Sequence, residues 1–379
     1  MKIAHISDTH LGYYAYGKTA QGRMNQREVD VCATFRRCLD AIAARDPDLV
    51  IHSGDFFHVV RPSNYSLIAG YKMLAQFQHK RMGKPFVIIG GNHDTPQSAE
   101  SANILDLFRD IEGVSVETGS AVVVETAAAG VLCVSHKSLA SGENVSWAPP
   151  SSTGTKILAV HGILDTIQQQ TKVESFDFAL GDARPDEWDY IALGDWHVHQ
   201  TFGPNICYAG STDFTSTSIW EEASRAKGWV WFDTDVREIE FVPVQTRRVI
   251  DLAPIDALDL TAEQLGAKLI ENANWKDEEM PIVRQRVLNV HAETRRELPL
   301  SIVRDLQARA LYYRPDLRPP AAISATGDSE GRAASLESCW QTHIDASPFP
   351  AEIDKPKLRQ LGLDLLQEVA EYETAPAEA

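Results

Sequence analysis

The amino-acid sequence predicts an α/β protein in which helices cover β-sheets, followed by a smaller α+β segment and a helical tail. Up to about residue 245, short runs of β-branched and apolar residues alternate with amphipathic helical stretches, a pattern typical of layered α/β domains. At residue 246 the pattern changes, and two helical stretches flank a single strand-like run. These two observations predict a main domain over residues 1–245 and a separate small domain over 246–318.

The main domain is built from short strands whose ends carry polar residues. The strands are predicted at residues 2–7, 49–53, 85–90, 121–125, 131–135, 156–161, 190–194, 206–210 and 228–233. Helices are predicted at residues 27–45 and 63–80, between the early strands. Almost every strand runs directly into Asp, His, Asn or Gly. Because open α/β sheets bind ligands at the carboxyl ends of their strands, these residues form the candidate functional site.

The segment 246–318 differs from the main domain in both structure and charge. Helices predicted at 261–273 and 299–313 flank the strand-like residues 282–292. This segment holds 12 Lys+Arg, ten of them Arg, and 12 Asp+Glu, so it is neutral. The rest of the chain therefore carries the whole net charge of −17.

The remainder of the chain is predicted to be a linker and a helical tail. Residues 319–335 are rich in Pro, Ala, Gly and Ser, a composition typical of linkers. The tail, 336–379, contains an amphipathic helix at 355–373, whose apolar residues at helical spacing are Leu358, Leu361, Leu365, Leu366 and Val369. That apolar face either packs on its own domain or binds a partner.

Composition limits the classes of function. The chain has 379 residues, of which 44% are hydrophobic and 23% charged, which excludes a disordered, collagen-like or disulfide-scaffold protein. The net charge of −17 argues against a protein that grips nucleic acid over its whole surface. A local basic groove or a metal-bridged phosphate site remains compatible with it.

The cysteines and the hydropathy pattern predict a soluble cytoplasmic protein. The five cysteines are scattered, without CxxC spacing, which favours a reducing cytosol over a disulfide framework. No run of apolar residues approaches the roughly 18 needed to cross a membrane.

Five polar clusters follow predicted strands. They are Asp8-Thr9-His10, Gly54-Asp55, Gly90-Gly91-Asn92-His93-Asp94, His161-Gly162 and Gly194-Asp195-Trp196-His197-Val198-His199. A single Asp or His after a strand more often begins a turn or satisfies a backbone carbonyl. Five clusters in this order instead indicate a pair of ions such as Mn²⁺, Fe or Zn²⁺, which accept mixed oxygen and imidazole ligands.

This series of motifs resembles that of the calcineurin-like metallophosphoesterases. The resemblance implies a four-layer αββα sandwich that holds two metal ions. More narrowly, residues 7–30, 53–63, 90–94 and 281–290 are similar to the SbcD-type double-strand-break repair nucleases. The similarity covers roughly residues 1–318 and makes 246–318 a capping domain. The metal motifs identify only the superfamily, whereas the other segments point to the nuclease branch.

The resemblance assigns the metal ligands residue by residue. Asp8 and His10 are expected to bind one ion, Asn92 and His161 the other, and Asp55 to bridge both. The last loop departs from the Gly-His-x-His of the family, because residues 192–200 read ALGDWHVHQ. A gapless comparison uses Asp195 and His197, whereas a shift of two residues uses His197 and His199. We favour the gapless one because the preceding strand delivers its ligands at a fixed distance.

The ions would lower the pKa of a bridging water, so that hydroxide exists near neutral pH, and would hold the phosphodiester for in-line attack. His93 directly follows a predicted ligand and is expected to stabilise the transition state or to protonate the leaving oxygen. His58 is the second candidate for that role. The structural alternative for His58 is that it fills a gap at the start of a helix.

The resemblance implies Mn²⁺-dependent 3′ to 5′ exonuclease and single-strand endonuclease activity on DNA. Arg284 and Arg286 alternate on a predicted strand, share a face and are candidates for DNA backbone contacts. Pairing with the acidic residues nearby is the alternative for both.

The resemblance also implies two protein partners. The helix 63–80 corresponds to a region that forms a homodimer in these nucleases, although packing in the core explains it equally well. The helix 355–373 lies where they bind an SMC-like ATPase of the SbcC type. Two other functions remain open, a small-molecule phosphodiesterase or phosphatase of the same superfamily and a degraded DNA-binding subunit.

Overall fold

The structure, a computed structural model, describes the chain except for residues 21–23, 97–101, 143–144, 152–153, 172–175, 277, 279, 321–335, 347–352 and 375–379. Its contacts divide it into two compact units, residues 1–320 and residues 321–379. The predicted linker 319–335 lies almost wholly outside the described residues. The predicted boundary between a main domain and a capping domain falls inside the first unit, and it stays a prediction.

Strands and helices are numbered in chain order. The strands are β1 (Lys2–Ile6), β2 (Leu49–His52), β3 (Phe86–Ile89), β4 (Val114–Glu117), β5 (Val122–Glu125), β6 (Ala129–Val134), β7 (Thr155–His161), β8 (Tyr190–Gly194), β9 (Gln200–Gly203), β10 (Ile206–Tyr208), β11 (Gly228–Asp233), β12 (Glu238–Pro243), β13 (Val249–Asp256), β14 (Ile282–Leu288) and β15 (Tyr312–Leu317). The helices are α1 (Gln26–Arg45), α2 (Asn64–Lys80), α3 (His136–Ala140), α4 (Asp165–Gln170), α5 (Ile219–Glu222), α6 (Ala262–Asn272), α7 (Ala292–Glu297), α8 (Leu300–Ala308), α9 (Leu336–Ala346) and α10 (Lys355–Thr374). Short 3₁₀ turns lie at Ile104–Asp110 and Pro185–Glu187.

Two mixed sheets form the centre of the first unit. The first has the order β12-β11-β1-β2-β3-β4, in which β1 to β4 are parallel. The second has the order β5-β6-β7-β8-β10-β9, in which β6, β7, β8 and β10 are parallel. Parallel neighbours point their carboxyl ends the same way, so each sheet delivers several strand ends to one edge.

The sheets pack face to face, and helices cover their outer faces. Between the sheets, residues such as Ile51 and Val87 meet Val131 and Ile157 in a fully buried layer. Helices α1 and α2 cover the outer face of the first sheet. The outer face of the second sheet is covered by α4 and by the chain around Trp188. Each sheet thus buries both faces, and the predicted αββα sandwich is confirmed.

The main helices begin where the sequence provides caps. The side chain of Asn25 accepts a hydrogen bond from the Arg27 amide at the start of α1, and Ser63 does the same for Ser66 at the start of α2. These side chains satisfy backbone donors that the first turn leaves unpaired. Thr261 and Gln264 form a reciprocal capping box at the start of α6.

A third sheet, β13-β14-β15, is parallel throughout and packs against α6 and α8 around its own buried core. The prediction of a helix over 299–313 is wrong beyond Ala308. There the chain leaves the helix, buries Ala310 and Leu311, and enters β15 beside β14. Pro315 lies within β15 and could not continue a helix, because proline lacks the backbone donor.

The second unit consists of α9 packed against α10. The indole of Trp340 donates a hydrogen bond to the Arg359 carbonyl oxygen at 3.0 Å. A Cβ on Gly362 would lie 2.2 Å from that indole, so the glycine permits the close contact. The predicted helix at 355–373 is confirmed, whereas α9 had not been predicted.

Among the described residues, no helix combines the length and apolar character needed to cross a bilayer. All five cysteines are free thiols, and four of them are buried.

Candidate metal centre

Five strands deliver polar side chains to one place, where the edges of the two sheets meet. Strands β1, β2 and β3 of the first sheet lead to Asp8, Asp55 and Asn92, and β7 and β8 of the second lead to His161 and Asp195. Asp8, Asp55 and His161 are completely or almost completely buried. The parallel order of the strands is what brings these residues together, although they lie far apart in sequence.

The backbone at these strand ends is strained. Asp8, His10, Asp55 and Asp195 have φ angles of 50°, 51°, 56° and 95°, a region that costs a non-glycine residue about 1–3 kcal/mol. Hydrogen bonds from Asp8 N to the Gly54 oxygen and from His10 N to the Asp55 oxygen, at 3.1 and 2.9 Å, hold the first two loops together. Such strain persists only where the surroundings impose it, which is typical of functional sites.

A close glycine contact shapes the same region. A Cβ on Gly91 would lie 2.0 Å from Oδ1 of Asp55. Only glycine therefore lets the β3 loop lie against the Asp55 carboxylate.

One group of candidate ligand atoms consists of Asp8, His10 and His197. Nε2 of His197 lies 3.0 Å from Nε2 of His10 and 3.9 Å from Oδ1 of Asp8. One ligand atom from each of the three residues fits within a 4.8 Å cluster.

A second group consists of Asn92, His161 and Asp195. Nε2 of His161 lies 3.1 Å from the side-chain oxygen of Asn92 and 3.7 Å from Oδ1 of Asp195. The Asp195 carboxylate is 21% exposed and lines an open cavity together with Trp196 and His197.

Asp55 lies between the two groups and faces both. Its Oδ2 is 3.5 Å from Nε2 of His10, and its Oδ1 is 3.6 Å from Nε2 of His161. Each carboxylate oxygen therefore points to a different group, as a bridging ligand requires.

Lone pairs face one another in this cluster. Nδ1 of His161 lies 2.7 Å from the Ser53 carbonyl oxygen, so Nδ1 carries the ring proton and Nε2 presents a lone pair. The Asn92 amide atom that faces this nitrogen lies 3.0 and 3.2 Å from the two Asp55 oxygens. With the amide nitrogen at that place, Asn92 donates to Asp55 and to His161, whereas with the amide oxygen there the contacts need a proton on Asp55 or a bound cation. The mixed oxygen and imidazole donors thus fit a pair of divalent ions.

Burial favours the neutral forms of both the carboxylates and the imidazoles in this cluster. Desolvation, followed by the charges of neighbouring carboxylates, raises the pKa of Asp55 far above its usual value, and desolvation also raises the pKa of Asp8. Desolvation raises the pKa of Asp195 to about 7. It lowers the pKa of His161 to about 3 and that of His10 well below its usual value. Buried carboxylates beside neutral imidazoles are stabilised when a cation supplies the missing positive charge.

His93 and His58 stack beside the first group. Their ring centres are 5.0 Å apart with an interplanar angle of 23°, and Nδ1 of His93 lies 2.6 Å from the His58 carbonyl oxygen. The His93 amide also donates to Oδ1 of Asp55 at 2.9 Å. Nε2 is therefore the ring atom of His93 that is available to a ligand. Nδ1 of His58 lies 3.4 Å from Nδ1 of His10.

The two alternatives for the last loop have different surroundings. Asp195 and His197 belong to the groups described above. His199 directs Nδ1 to the Tyr208 carbonyl oxygen at 2.8 Å and stacks on Phe241 with ring centres 4.6 Å apart. The geometry thus brings Asp195 to the cluster and gives His199 other neighbours among the described residues.

Two supporting residues were not singled out from the sequence. Asp94 accepts hydrogen bonds from the amides of Phe56 and Phe57 at 2.9 and 2.8 Å, which fixes the loop after Asp55. Lys227 is almost completely buried and donates to the His197 carbonyl oxygen and to Ser211 Oγ, both at 2.8 Å. Asp94 could have been found from its place beside Asn92 and His93, whereas no sequence pattern marks Lys227.

Arg284 and Arg286 lie on β14, away from these groups, and both contact Asp251. Arg284 donates to the two oxygens of Asp251 at 3.0 and 2.8 Å, and Arg286 donates to one of them at 3.3 Å. The Asp251 carboxylate thus offsets part of the charge of both arginines. Pairing with a nearby acidic residue is the alternative to DNA contact that the sequence had left open.

Comparison with known proteins identifies the class to which this fold and this cluster belong. The family model described as "Calcineurin-like phosphoesterase" matches residues 1–242. The chain belongs to that family, as the resemblance had implied.

Curated relatives narrow the comparison. The chain is 29% identical to the "DNA double-strand break repair protein Mre11" of Methanococcus maripaludis over 271 residues, which cover 66% of this chain and 68% of that one. It is 27% identical to the protein of the same name from Sulfolobus acidocaldarius, covering 75% and 74% of the two chains. The chain is 26% identical to the protein of that name from Saccharolobus solfataricus, covering 83% of this chain and 81% of the other.

The raised pKa values of the carboxylates predict that metal affinity increases with pH. Ions bind the ionised form, so at about pH 6 they must displace protons from Asp8, Asp55 and Asp195, whereas at about pH 8.5 fewer protons remain. Each displaced proton changes the apparent affinity by up to about tenfold per pH unit. Calorimetric titration with Mn²⁺ in two buffers of different ionisation heat measures both effects. An affinity independent of pH, without proton release, would contradict the prediction.

The different surroundings of Asp195 and His199 predict that their alanine variants differ in metal content. Asp195→Ala should lose one of two bound ions, because it removes an oxygen beside His161. His199→Ala should retain both ions. Metal content after gel filtration, measured by mass spectrometry, tests this, and loss of an ion only in the His199 variant would reverse the assignment.

Proposed function

We propose that the protein is a metal-dependent DNA nuclease, with 3′ to 5′ exonuclease and single-strand endonuclease activity, that acts in DNA double-strand break repair. The observation that carries this proposal is the pair of donor groups joined by Asp55, with His93 beside them. The similarity to proteins named for double-strand break repair selects DNA among the phosphate esters that such a site could cleave.

In this proposal two divalent ions bind, with Mn²⁺ preferred and Fe or Zn²⁺ as alternatives. Asp8, His10 and His197 would hold one ion, and Asn92, His161 and Asp195 the other. Asp55 would be shared by both ions, a role supported by the separate contacts of its two oxygens. When bound, the ions would acidify a water molecule and offset the charge of the phosphodiester.

The protein's own residues orient the reaction. His93 is proposed to bind the phosphate or to protonate the leaving oxygen through Nε2, since its Nδ1 is held by the His58 carbonyl. His58 supports the ring of His93 by stacking and is the second candidate for contact with the phosphate. The buried Lys227 holds the carbonyl of His197 and so orients that imidazole.

The proposed partners are DNA, a second copy of the chain and an SMC-like ATPase of the SbcC type, and the proposed location is the cytoplasm. Arg284 and Arg286 are proposed to contact the DNA backbone from the third sheet. Ile68 and Tyr71 on α2 are 55% and 36% exposed, which supports a homodimer contact. Leu361 and Leu365 on α10 are 57% and 53% exposed, which supports contact with the ATPase.

The two competing functions have less support. A degraded subunit would not need all five strand-end clusters to converge with their donors intact. A small-molecule phosphoesterase would not need the arginines of the third sheet.

A substrate comparison tests the proposal. Purified protein with Mn²⁺ should digest a 3′-labelled duplex and nick circular single-stranded DNA, and Asp55→Asn should abolish both activities because it removes a charged bridge. Gel electrophoresis of the DNA is the measurement. Hydrolysis of bis-p-nitrophenyl phosphate without cleavage of either DNA would instead favour a small-molecule enzyme.

The role of His93 has a separate test. His93→Ala should retain the bound ions but lose about 10²–10⁴-fold in the rate of DNA cleavage, the range that general acids contribute. His291→Ala is the matched control, because His291 is exposed and its side chain makes no capping bond. Cleavage by His93→Ala at the parent rate would exclude the proposed role.

A further inference from the structure

A second cavity lies on the third sheet, separate from the candidate metal centre. It has a volume of about 460 Å³, and its lining includes Trp220, Arg284, Arg295, Tyr312 and Arg314. Cavities that hold small ligands have volumes of about 300–1,000 Å³. The lining therefore combines three guanidinium groups and two aromatic rings in a space of suitable size.

The charges of this cavity are not fully compensated. Arg284 is paired with Asp251, and Asp316, the carboxylate in the lining, is paired with Arg318 at 2.8 Å. Arg295 and Arg314 are exposed and form no ion pair within the described part of the chain. These two arginines give the cavity a net positive charge in an otherwise acidic protein.

The aromatic side chains are fixed by the fold. The Arg284 guanidinium lies 5.0 Å from the centre of the Trp220 ring, a cation–π contact that holds both side chains. The Tyr312 ring packs on Tyr16, with ring centres 4.4 Å apart. A rigid wall of this kind can contact a flat base with little loss of side-chain freedom.

The cavity adjoins the one at the metal centre through helix α5. Trp220 of α5 lines the arginine-rich cavity, whereas Glu221 and Glu222 line the cavity that contains Asp195 and His197. Helix α5 therefore contributes neighbouring residues to both cavities.

We propose that this arginine-rich cavity binds one unpaired nucleotide unit, with its phosphate on Arg295 and Arg314 and its base against Trp220 and Tyr312. This inference rests on the proposed function and deepens it, since it adds a nucleotide site away from the scissile bond. The shared chemistry is a flat base joined to a phosphate, carried either by a DNA strand or by a released mononucleotide. Single-strand binding proteins combine basic grooves with aromatic platforms in the same way.

Binding without cleavage is the direct test. Fluorescence anisotropy with a labelled single-stranded oligonucleotide in EDTA, at several salt concentrations, compares the parent with Arg295→Ala/Arg314→Ala. The magnitude of the slope of log affinity against log salt should fall by about 0.7, because both arginines are proposed to hold the same phosphate and each lost phosphate contact on a single strand contributes about 0.7. Arg296→Ala is the matched control, because Arg296 is also exposed on α7 but does not line the cavity. An equal change in the control, or no change in the double variant, would overturn the proposal.

An abasic oligonucleotide tests the contact with the base. It should bind the parent about 5- to 160-fold more weakly than the normal strand, the range expected for one stacked base. Tyr312→Leu should reduce this penalty, with circular dichroism verifying that the variant is folded. An undiminished penalty in a folded variant would contradict the base contact.

Competition by a free deoxynucleoside monophosphate distinguishes the two sources of the ligand. Displacement that weakens in Arg295→Ala/Arg314→Ala shows that the cavity accepts a released mononucleotide as well as the strand. Absence of displacement, together with the expected change in salt slope, assigns the cavity to the strand alone. If the parent does not cleave DNA in Mn²⁺, the proposed function fails, whereas a parent that cleaves DNA while the double variant behaves like Arg296→Ala overturns only this inference.

Discussion

The carboxylate of Asp55 is the group on which the rest of the site depends. It is 1% exposed and faces imidazoles from both sheets, His10 from the first and His161 from the second. An ionised carboxylate in such a place is costly unless positive charge lies beside it. The left-handed backbone of Asp55 and the close contact with Gly91 hold this carboxylate in its buried position. The backbone strain at Asp55 therefore results from placing the carboxylate between the two donor groups.

Since the donors come from two sheets, their geometry depends on how the sheets are held relative to each other. His5 is buried between them and lies 2.8 Å from both the Tyr190 hydroxyl and Ser53 Oγ. Burial lowers the pKa of His5 to about 3, so it stays neutral and serves as a hydrogen-bonding link rather than a charge. Ser53 also accepts the hydrogen bond from His161 through its carbonyl oxygen. The apolar layer between the sheets and this polar link together fix the spacing of the two donor groups.

Local signals in the sequence predicted a layered α/β domain and the convergence of the five clusters, whereas the four-layer αββα arrangement was implied by the resemblance to the metallophosphoesterases. Apolar runs marked the strands of the buried sheets, and parallel strands must bring their ends together. The strands β4, β9, β12 and β13 were missed, as was β15, whose first two residues fall within the helix predicted at 299–313. The contact of Arg284 with Asp251 could not be predicted, since it depends on the register in which β13 pairs with β14. Lys227 was missed because a single buried lysine has no recurring pattern.

The net charge of −17 acquires a physical meaning once the charges are located. This formal count includes buried carboxylates such as Asp8 and Asp55, whose raised pKa values favour the protonated form until a cation binds. On the third sheet, Asp251 offsets part of the charge of Arg284 and Arg286, which leaves Arg295 and Arg314 as cations without a paired acid among the described residues. An acidic surface repels a phosphate backbone except where such local positive charge exists. The same acidity that weakens general DNA binding would therefore confine a strand to the metal centre and to the few arginines that remain uncompensated.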